Sequence, residues 1–444
     1  MNSATALHPL HLDQCYLVVG LGMSGFSAAK YLLQHGYRCA VQDSRQQPPY
    51  LSALLQQFPA VELVLGELNE QLIKQYDCLV LSPGLSLHTP LMQKVAQSGK
   101  RIIGDIELFA EAVKSPVLAI TGSNGKSTVT TLLGEMIAAD AKRVAVGGNI
   151  GVAALDLVSD DVELYVLELS SFQLETTYSL NLAVASVLNV SEDHLDRYHD
   201  FAEYQQAKKS IYRHAQHCVS NQDDPCTFND EQDYRFSLTD PDVPYTVIED
   251  GQSWLVVHGE KWIATSELKL KGRHNWANCL AAIAMAQLAG ISKSAILQAL
   301  TAFAGLAHRS QWVAEIDGVS WINDSKATNT GAAKAAIDGI DEPIILIAGG
   351  QAKGANVSTL CESLQKHVKT VLVFGQDADI LLQNWQHCVA VERVQNMDQA
   401  VQRAHQLALT GDLVLLSPAC ASLDMYSGFA ARGEHFCRLV GELS

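Results

Sequence analysis

The chain has 444 residues, 48% of them hydrophobic and 18% charged, with a formal net charge of −17. That length predicts about two to four domains with ample core, and the acidic balance excludes a general binder of nucleic acid or anionic membrane. Met1-Asn2-Ser3-Ala4-Thr5-Ala6 lacks a basic n-region and no apolar run is long enough to span a membrane, so a cytoplasmic enzyme without membrane insertion is expected; the ten cysteines, with no C-x-x-C pair, read as reduced and mostly buried thiols.

The first predicted strand is Tyr16-Leu17-Val18-Val19, followed by Gly20-Leu21-Gly22-Met23-Ser24-Gly25 and a helix through Tyr31-Leu32-Leu33. A second strand, Arg38-Cys39-Ala40-Val41, ends at Asp43. This is a G-x-G-x-x-G fingerprint with an acidic residue after the second strand, which alone suggests NAD(P) or a structural glycine turn. A third strand, Cys78-Leu79-Val80-Leu81, ends in Ser82-Pro83-Gly84 at the kind of carboxyl end where open α/β sheets bind ligands. The first domain boundary falls near 104, ahead of Asp105-Ile106-Glu107-Leu108-Phe109.

Pro116-Val117-Leu118-Ala119-Ile120 reads as a buried strand that leads into Thr121-Gly122-Ser123-Asn124-Gly125-Lys126-Ser127-Thr128 and then a helix to Ala139. Strand, Gly-rich turn, Lys, hydroxyl and helix are the parts of a phosphate cradle, in which backbone N–H groups and the helix dipole meet the phosphates. Lys126 is placed to reach the β- and γ-phosphates and Ser127 to ligate Mg²⁺. Ile120 stands where G-x-x-x-x-G-K-[ST] has its first glycine, so the strict pattern fails.

Thr-Gly-Ser-Asn-Gly-Lys-Ser-Thr resembles the ATP loop of the Mur ligases, which add amino acids to peptidoglycan precursors and also lack that first glycine. The resemblance runs nearly end to end and implies three α/β domains: 1–104 Rossmann-like for the UDP substrate, 105–305 a P-loop ATPase-like, mostly parallel sheet for ATP, and 306–444 Rossmann-like for adenosine and the amino acid. It implies that Gly122, Ser123, Asn124, Gly125, Lys126, Ser127 and Thr128 hold ATP. It also implies that the first glycine turn faces a UDP group rather than a nicotinamide nucleotide, with Ser24, Asp43, Arg45, Ser82, Pro83 and Gly84 around it.

Gly147-Gly148-Asn149-Ile150-Gly151 follows the strand Val144-Ala145-Val146. Asn149 suits a left-handed turn; the resemblance gives it contact with the γ-phosphate region and the UDP substrate. Glu168 ends the apolar strand Leu164-Tyr165-Val166-Leu167, where a carboxylate beside Lys126 and Ser127 suits Mg²⁺, a hard cation. The apolar run 183–190 ends in Ser191-Glu192-Asp193-His194-Leu195-Asp196-Arg197-Tyr198, a cluster of ionisable groups. Asp-His-Leu-Asp resembles the family's Asp-His-x-Asp, in which the His is a metal ligand; that implies His194 at metal and UDP substrate. Tyr204-Gln205-Gln206-Ala207-Lys208-Lys209 reads first as a solvated helix face. The resemblance instead implies a carbamylated Lys208 that ligates a second Mg²⁺, with Mn²⁺ as a substitute metal, and carbamylation requires burial to lower the lysine pKa. Residues 218–266 read as a strand meander.

Gly272-Arg273-His274-Asn275-Trp276-Ala277-Asn278 opens a long Ala/Leu-rich helix. Capping accounts for its asparagines as they stand; the family motif implies that Asn278 meets the base of ATP. Arg309, after His308 at the presumed hinge, suits charge stabilisation in phosphoryl transfer. The strand Val319 to Asn323 runs into Asp324-Ser325-Lys326-Ala327-Thr328-Asn329, which looks like the members that add D-glutamate. There Asp324 is implied at the ribose, Lys326 at the phosphates and Thr328 at D-glutamate. Lys353, after Gly349-Gly350-Gln351-Ala352, is implied to pair with a D-glutamate carboxylate; relatives often carry an acid where this chain has Gln351 and Ala352. Ser422 and Phe429 match positions that close around D-glutamate, whereas Cys420 reads as a buried small hydrophobe.

The sequence therefore points to a monomeric bacterial ligase for small molecules, using ATP and two Mg²⁺, with Lys126, His194, Lys208 and Arg309 catalytic and Ser127, Glu168, His194 and Lys208 at the metals. A nicotinamide oxidoreductase leaves the ATP loop and the 324–328 motif unused, and a nucleotide-sensing module has no need of both Glu168 and His194. A folylpolyglutamate-synthase-like substrate matches the N-terminal domain poorly.

Overall fold

The structure is a computed structural model that describes residues 10–193, 197–230, 232–270 and 272–443. The chain is α/β, with three sheets dominated by parallel pairing. It divides into two compact units, one made of Met1–Ile263 and Cys279–Leu300, the other of Ala264–Asn278 and Thr301–Ser444.

In the first unit, a five-stranded sheet runs in the order Glu62–Leu65, Arg38–Asp43, Cys15–Val19, Cys78–Leu81, Arg101–Ile103. Its pairings are all parallel. Cys15–Val19 lies at the centre, covered on both faces, and needs the continuous apolar run that Tyr16 to Val19 supplies; all four are at most 1% exposed. Strand order reverses on either side of it, which opens a crevice at the carboxyl ends, where Gly20 to Gly25 and Ser82 lie. The edge strands Glu62–Leu65 and Arg101–Ile103 are short and partly exposed, so they carry little apolar signal.

A nine-stranded sheet runs in the order Glu260–Ala264, Ser253–Val257, Tyr245–Glu249, Tyr234–Phe236, Ala215–Asn221, Leu182–Val187, Val117–Thr121, Leu164–Glu168, Val144–Gly148. The pairings from Val144–Gly148 through Tyr245–Glu249 are parallel. The expected meander over 218–266 is therefore corrected for its first part, up to Tyr245, and holds for Tyr245–Glu249, Ser253–Val257 and Glu260–Ala264, which neighbour one another in chain order. The connections 222–233 and 237–244 are too long for hairpin turns; the chain first reverses at Gly251, φ +70, to pair Ser253–Val257 antiparallel with Tyr245–Glu249, and again at His258 (φ +49) and Gly259 (φ +81) before Glu260–Ala264. One apolar core runs from Val18 and Leu32 through Phe109 to Tyr165 and Leu182, so both sheets share it. The rings of Phe109 and Tyr165 meet edge to face at 5.3 Å, seating the helix Asp105–Ala112 in that core.

The second unit holds six strands in the order Gln311–Ile316, Val319–Asn323, Leu413–Leu416, Ile344–Gly349, Val368–Phe374, Ala390–Arg393. The first two form a hairpin turned by Asp317 (φ +54) and Gly318 (φ +73), and the rest pair parallel. Apolar clusters cover both faces, one around Leu346, Val371 and Trp385, the other around Trp321, Phe374 and Phe436.

The reading of every cysteine as a reduced thiol is corrected as well. Cys361 and Cys388 are joined by a disulfide, because helix packing brings two residues 27 apart in sequence to a Cα separation of 5.5 Å. Of the free thiols, only Cys78, Cys279 and Cys420 are fully buried.

Candidate active site

The strand Val117–Thr121 is buried at every position and delivers the chain to Gly122 with φ +151. A side chain at Gly122 would sit 3.2 Å from Leu188 Cβ and 3.3 Å from Asn189 O, so the turn and the neighbouring strand end approach as only glycine permits. Gly125, φ +82, caps the helix Lys126–Ala139. The Asn189 side chain completes the loop: its Oδ1 accepts from Asn124 N at 2.8 Å and its Nδ2 donates to Asn124 O at 3.0 Å. Lys126 curls back, its Nζ donating to Gly122 O at 2.7 Å and Ser123 O at 3.0 Å.

Glu168 gathers its neighbours. Ser127 Oγ donates to Glu168 Oε2 at 2.5 Å, and Asn149 Nδ2 donates to Glu168 Oε1 at 2.7 Å. The carboxylate is only 3% exposed at the end of its strand. A buried carboxylate with a serine hydroxyl and an amide is a hard oxygen donor set, so these residues fit Mg²⁺.

Lys208 is 2% exposed on the helix Phe201–Lys209, against its first reading as a solvated face. Its Nζ donates to Gly122 O at 2.8 Å and lies 4.6 Å from the Tyr204 ring centroid. Burial, reinforced by the nearby Lys126 charge, holds its ammonium well below the usual lysine range, with Asp193 and Glu168 partly opposing. Tyr204 OH pairs with Ser123 Oγ at 3.1 Å, and Ser123 Oγ also donates to Ser191 O at 3.0 Å. The structure thus brings together Ser123, Asn124, Lys126, Ser127, Asn149, Glu168 and Lys208. His194, expected at metal and substrate, lies outside the described residues.

At the amino-terminal crevice, a Cβ at Gly25 would lie 1.8 Å from Gly20 O, which fixes the residue as glycine. Ser82 Oγ donates to Gly20 O at 2.8 Å, joining the turn after the Cys78–Leu81 strand to the glycine loop. Asp43, 2% exposed, accepts from Leu21 N at 2.7 Å and pairs with the Arg45 guanidinium at 2.7 Å. Arg45, with Leu21 N–H assisting, lowers its carboxyl to about 2. Asp43 therefore holds the loop backbone, while Arg45 keeps half its side chain in solvent. Pro83 O accepts from Arg197 Nη1 at 2.6 Å and Leu85 O from Arg197 Nη2 at 2.8 Å, so the Ser82-Pro83-Gly84 turn is tied to the nine-stranded sheet's side of the unit. The Arg197 guanidinium stacks 3.8 Å over Phe172.

In the second unit, Arg309 sits between His308 (φ +64) and Ser310 (φ +43), two non-glycine residues in left-handed backbone. Asp324 is buried and accepts from Ser310 N at 3.1 Å and Ser417 Oγ at 3.0 Å; burial pushes its carboxyl up to about 7, with Arg309 among the opposing charges. Lys326 Nζ lies 4.2 Å from the Phe429 ring centroid. Thr328 N donates to Lys326 O at 2.7 Å. Gln351 and Ala421 exchange antiparallel backbone bonds at 2.8 and 2.9 Å, which joins the loop that carries Ser422 to the loop that carries the exposed Lys353, φ +50. Asn278 Nδ2 donates to Asn275 Oδ1 at 3.0 Å within the helix Arg273–Leu288.

Sequence reasoning passed over three positioning residues. Asn189 lies two residues beyond the strand Leu182–Val187, inside the apolar run 183–190, and that placement was its one signal. Arg197 was named only as part of a charge cluster. Arg432 is 0% exposed; it donates to Ser325 Oγ (3.0 Å), Ser325 O (2.8 Å), Gly349 O (3.2 Å) and Cys420 O (3.0 Å), tying three strand-end loops together. Its signal was an arginine in register with Phe429, Phe436 and Val440 on the helix Phe429–Gly441.

A glycine-turn phosphate loop whose serine meets a strand-end carboxylate, on a mostly parallel sheet in a chain that holds two further α/β sheets, defines a nucleotide-using enzyme. The chain belongs to the Mur ligase family. Residues 14–104 match the Mur ligase MurD-like N-terminal domain, 120–286 the Mur ligase middle domain, and 308–420 the Mur ligase glutamate ligase domain. The chain is 50% identical over 442 residues to the UDP-N-acetylmuramoylalanine–D-glutamate ligase of Pseudomonas aeruginosa, covering 97% of this chain and 99% of that one. Its counterpart in Nitrosococcus oceani is 47% identical over 436 residues, 96% of each chain. Two solved structures share the fold at low identity: a pseudomurein peptide ligase type C from Methanothermus fervidus (TM-score 0.63, 18% identity, 97% of this chain and 100% of that one) and the UDP-N-acetylmuramate–alanine ligase MurC of Thermotoga maritima (TM-score 0.61, 16% identity, 97% and 100%).

Proposed function

We infer that the chain joins D-glutamate to UDP-N-acetylmuramoyl-L-alanine at the expense of ATP, in peptidoglycan precursor synthesis. The observation that carries this reading is the 50% identity to a D-glutamate ligase along 97% of the chain. A free carboxylate is a poor acyl donor. In the mechanism we propose, it attacks the γ-phosphate of ATP and displaces ADP, and the acyl phosphate so formed is then attacked by the amine of D-glutamate, releasing phosphate. Lys126 neutralises charge on the transferred phosphoryl group, and Arg309 contributes a second cation. Residues 122–128 cradle the phosphates. Ser127 and Glu168, with His194 and a carbamylated Lys208, are the residues that would hold two Mg²⁺. Bound there, the metal supplies Lewis-acid neutralisation of phosphate oxygens.

The same proposal gives UDP contacts to Ser24, Asp43, Arg45, the turn 82–84, Asn149 and His194. Through the hydrogen bond at Leu21 N, Asp43 acts on the loop more than on the ligand. It gives the adenosine to Asn278 and Asp324, the phosphates also to Lys326, and D-glutamate to Thr328, Lys353, Ser422 and Phe429. Gln351 and Ala352 leave no acid at the position where relatives often have one; Asp377 Oδ2 accepts from Ala352 N at 2.8 Å, so a carboxylate supports the Lys353 loop from the neighbouring strand end. Domains 1–104, 105–305 and 306–444 take these three tasks in order, in a monomer working in the bacterial cytoplasm where ATP is regenerated. No described helix is long and apolar enough to cross a membrane.

Oxygen-18 in the substrate carboxylate tests the acyl-phosphate step. One labelled oxygen is expected in the released phosphate at each turnover. Unlabelled phosphate would overturn the step.

A further inference from the structure

We propose that Cys361, His387 and Cys388 form a thiolate–imidazole site for a zinc-class divalent cation, open when the two sulfurs are reduced and closed when they join as the disulfide. Among the described residues this is the one group of three His, Cys, Asp or Glu side chains whose ligand atoms all lie within 4.8 Å of one another. Cys361 opens the helix Cys361–His367, and His387 and Cys388 lie in the turn between the helix Ala378–Trp385 and the strand Ala390–Arg393. Both arms are held by one buried residue. Trp385, 0% exposed, donates its Nε1 to Val357 O at 2.8 Å, just ahead of Cys361, and its carbonyl accepts from Cys388 N at 2.8 Å.

The donor set selects the cation. Two thiolates and an imidazole suit a borderline-soft ion, whereas Mg²⁺ prefers the oxygen donors of Ser127 and Glu168. Tetrahedral zinc with ordinary Zn–S bonds holds its two sulfurs about 3.8 Å apart. Cα atoms 5.5 Å apart allow that spacing as well as a disulfide, so side-chain rotation alone converts one state to the other. Cys361 Sγ lies 3.9 Å from His387 Nε2, and His387 is exposed, which gives the ion an entry path and leaves a fourth position for water.

Closure is a two-electron oxidation that a low-molecular-weight disulfide performs. One protein thiolate attacks it and releases one small thiolate; the second protein thiolate then attacks the mixed disulfide and releases the other. One S–S bond breaks, one forms, and the cation returns to solvent.

The test uses the full chain, reduced and freed of reductant without air, and titrated with Co²⁺. A thiolate-to-cobalt charge-transfer band is expected, saturating at about one Co²⁺ per chain and discharged by Zn²⁺. Because the band reports sulfur, metal at the oxygen-rich phosphate site does not contribute. Cys361→Ser and Cys388→Ser should each abolish it. His387→Ala, at an exposed position, should weaken binding by about tenfold or more. Prior treatment with glutathione disulfide should remove the band, and a reductant restore it. Absence of the band, its persistence in both serine variants, or its insensitivity to glutathione disulfide would each overturn the proposal.

Discussion

Lys126 and Lys208 both donate to the carbonyl of Gly122, at 2.7 and 2.8 Å, and that shared acceptor shapes what each can do. Burial and the nearby Lys126 charge favour the neutral amine of Lys208, the form that reacts with CO₂. Lys126→Ala should lower kcat by about 10²–10³-fold with the fold intact, read as ADP release beside an unchanged circular dichroism spectrum. Lys208→Ala should be nearly inactive and partly restored by small carboxylates; normal activity, or none that responds to carboxylates, would count against its metal role. Asp324 offers a pH test. Folding raises its carboxyl from 3.8 to about 7, so the folded state holds the proton more tightly. Stability should therefore fall as pH rises from about 4 to about 7 and level off above, and Asp324→Asn should flatten that slope in denaturant titrations.

The helix Phe429–Gly441 turns one polar side chain into a structural joint. Arg432 reaches the loops that follow Val319–Asn323, Ile344–Gly349 and Leu413–Leu416, and replacing it leaves several buried acceptors without donors. Arg432→Ala should cost roughly 2–4 kcal/mol in chemical denaturation and raise KM for D-glutamate more than it lowers kcat. Central strands such as Tyr16–Val19 and Val117–Ile120 were legible because parallel strands covered on both faces are written as apolar runs. Edge strands were not: Gln311–Ile316 is mostly half-exposed and Ala390–Arg393 has no buried residue, so neither alternates cleanly. The phosphate loop and Glu168 were legible because their positions follow from strand ends. The burial of Lys208 was not legible from its own segment, since its cover comes from Gly122 and Tyr204 through tertiary packing. The Cys361–Cys388 pairing depends in the same way on the start of the helix Cys361–His367 meeting the turn after Trp385.

At the scale of the molecule, a net charge of −17 must coexist with ligands that are themselves anions. Lys126 places positive charge at the phosphate loop, and Lys326 and Arg309 do so in the second unit. Phosphate-bearing ligands should therefore bind more weakly as salt rises, and ATP with Mg²⁺ at 100 times its dissociation constant should stabilise the chain by about 2.7 kcal/mol, seen as a raised unfolding temperature. The most direct test of the whole account is phosphate release by the purified chain with Mg²⁺, ATP and UDP-N-acetylmuramoyl-L-alanine across a panel of D- and L-amino acids. Release that requires the UDP substrate and rises with D-glutamate alone is the predicted result. Turnover with a different amino acid would contradict the roles given to Thr328, Lys353 and Ser422, and no turnover with any acceptor would contradict the roles given to Lys126 and Glu168.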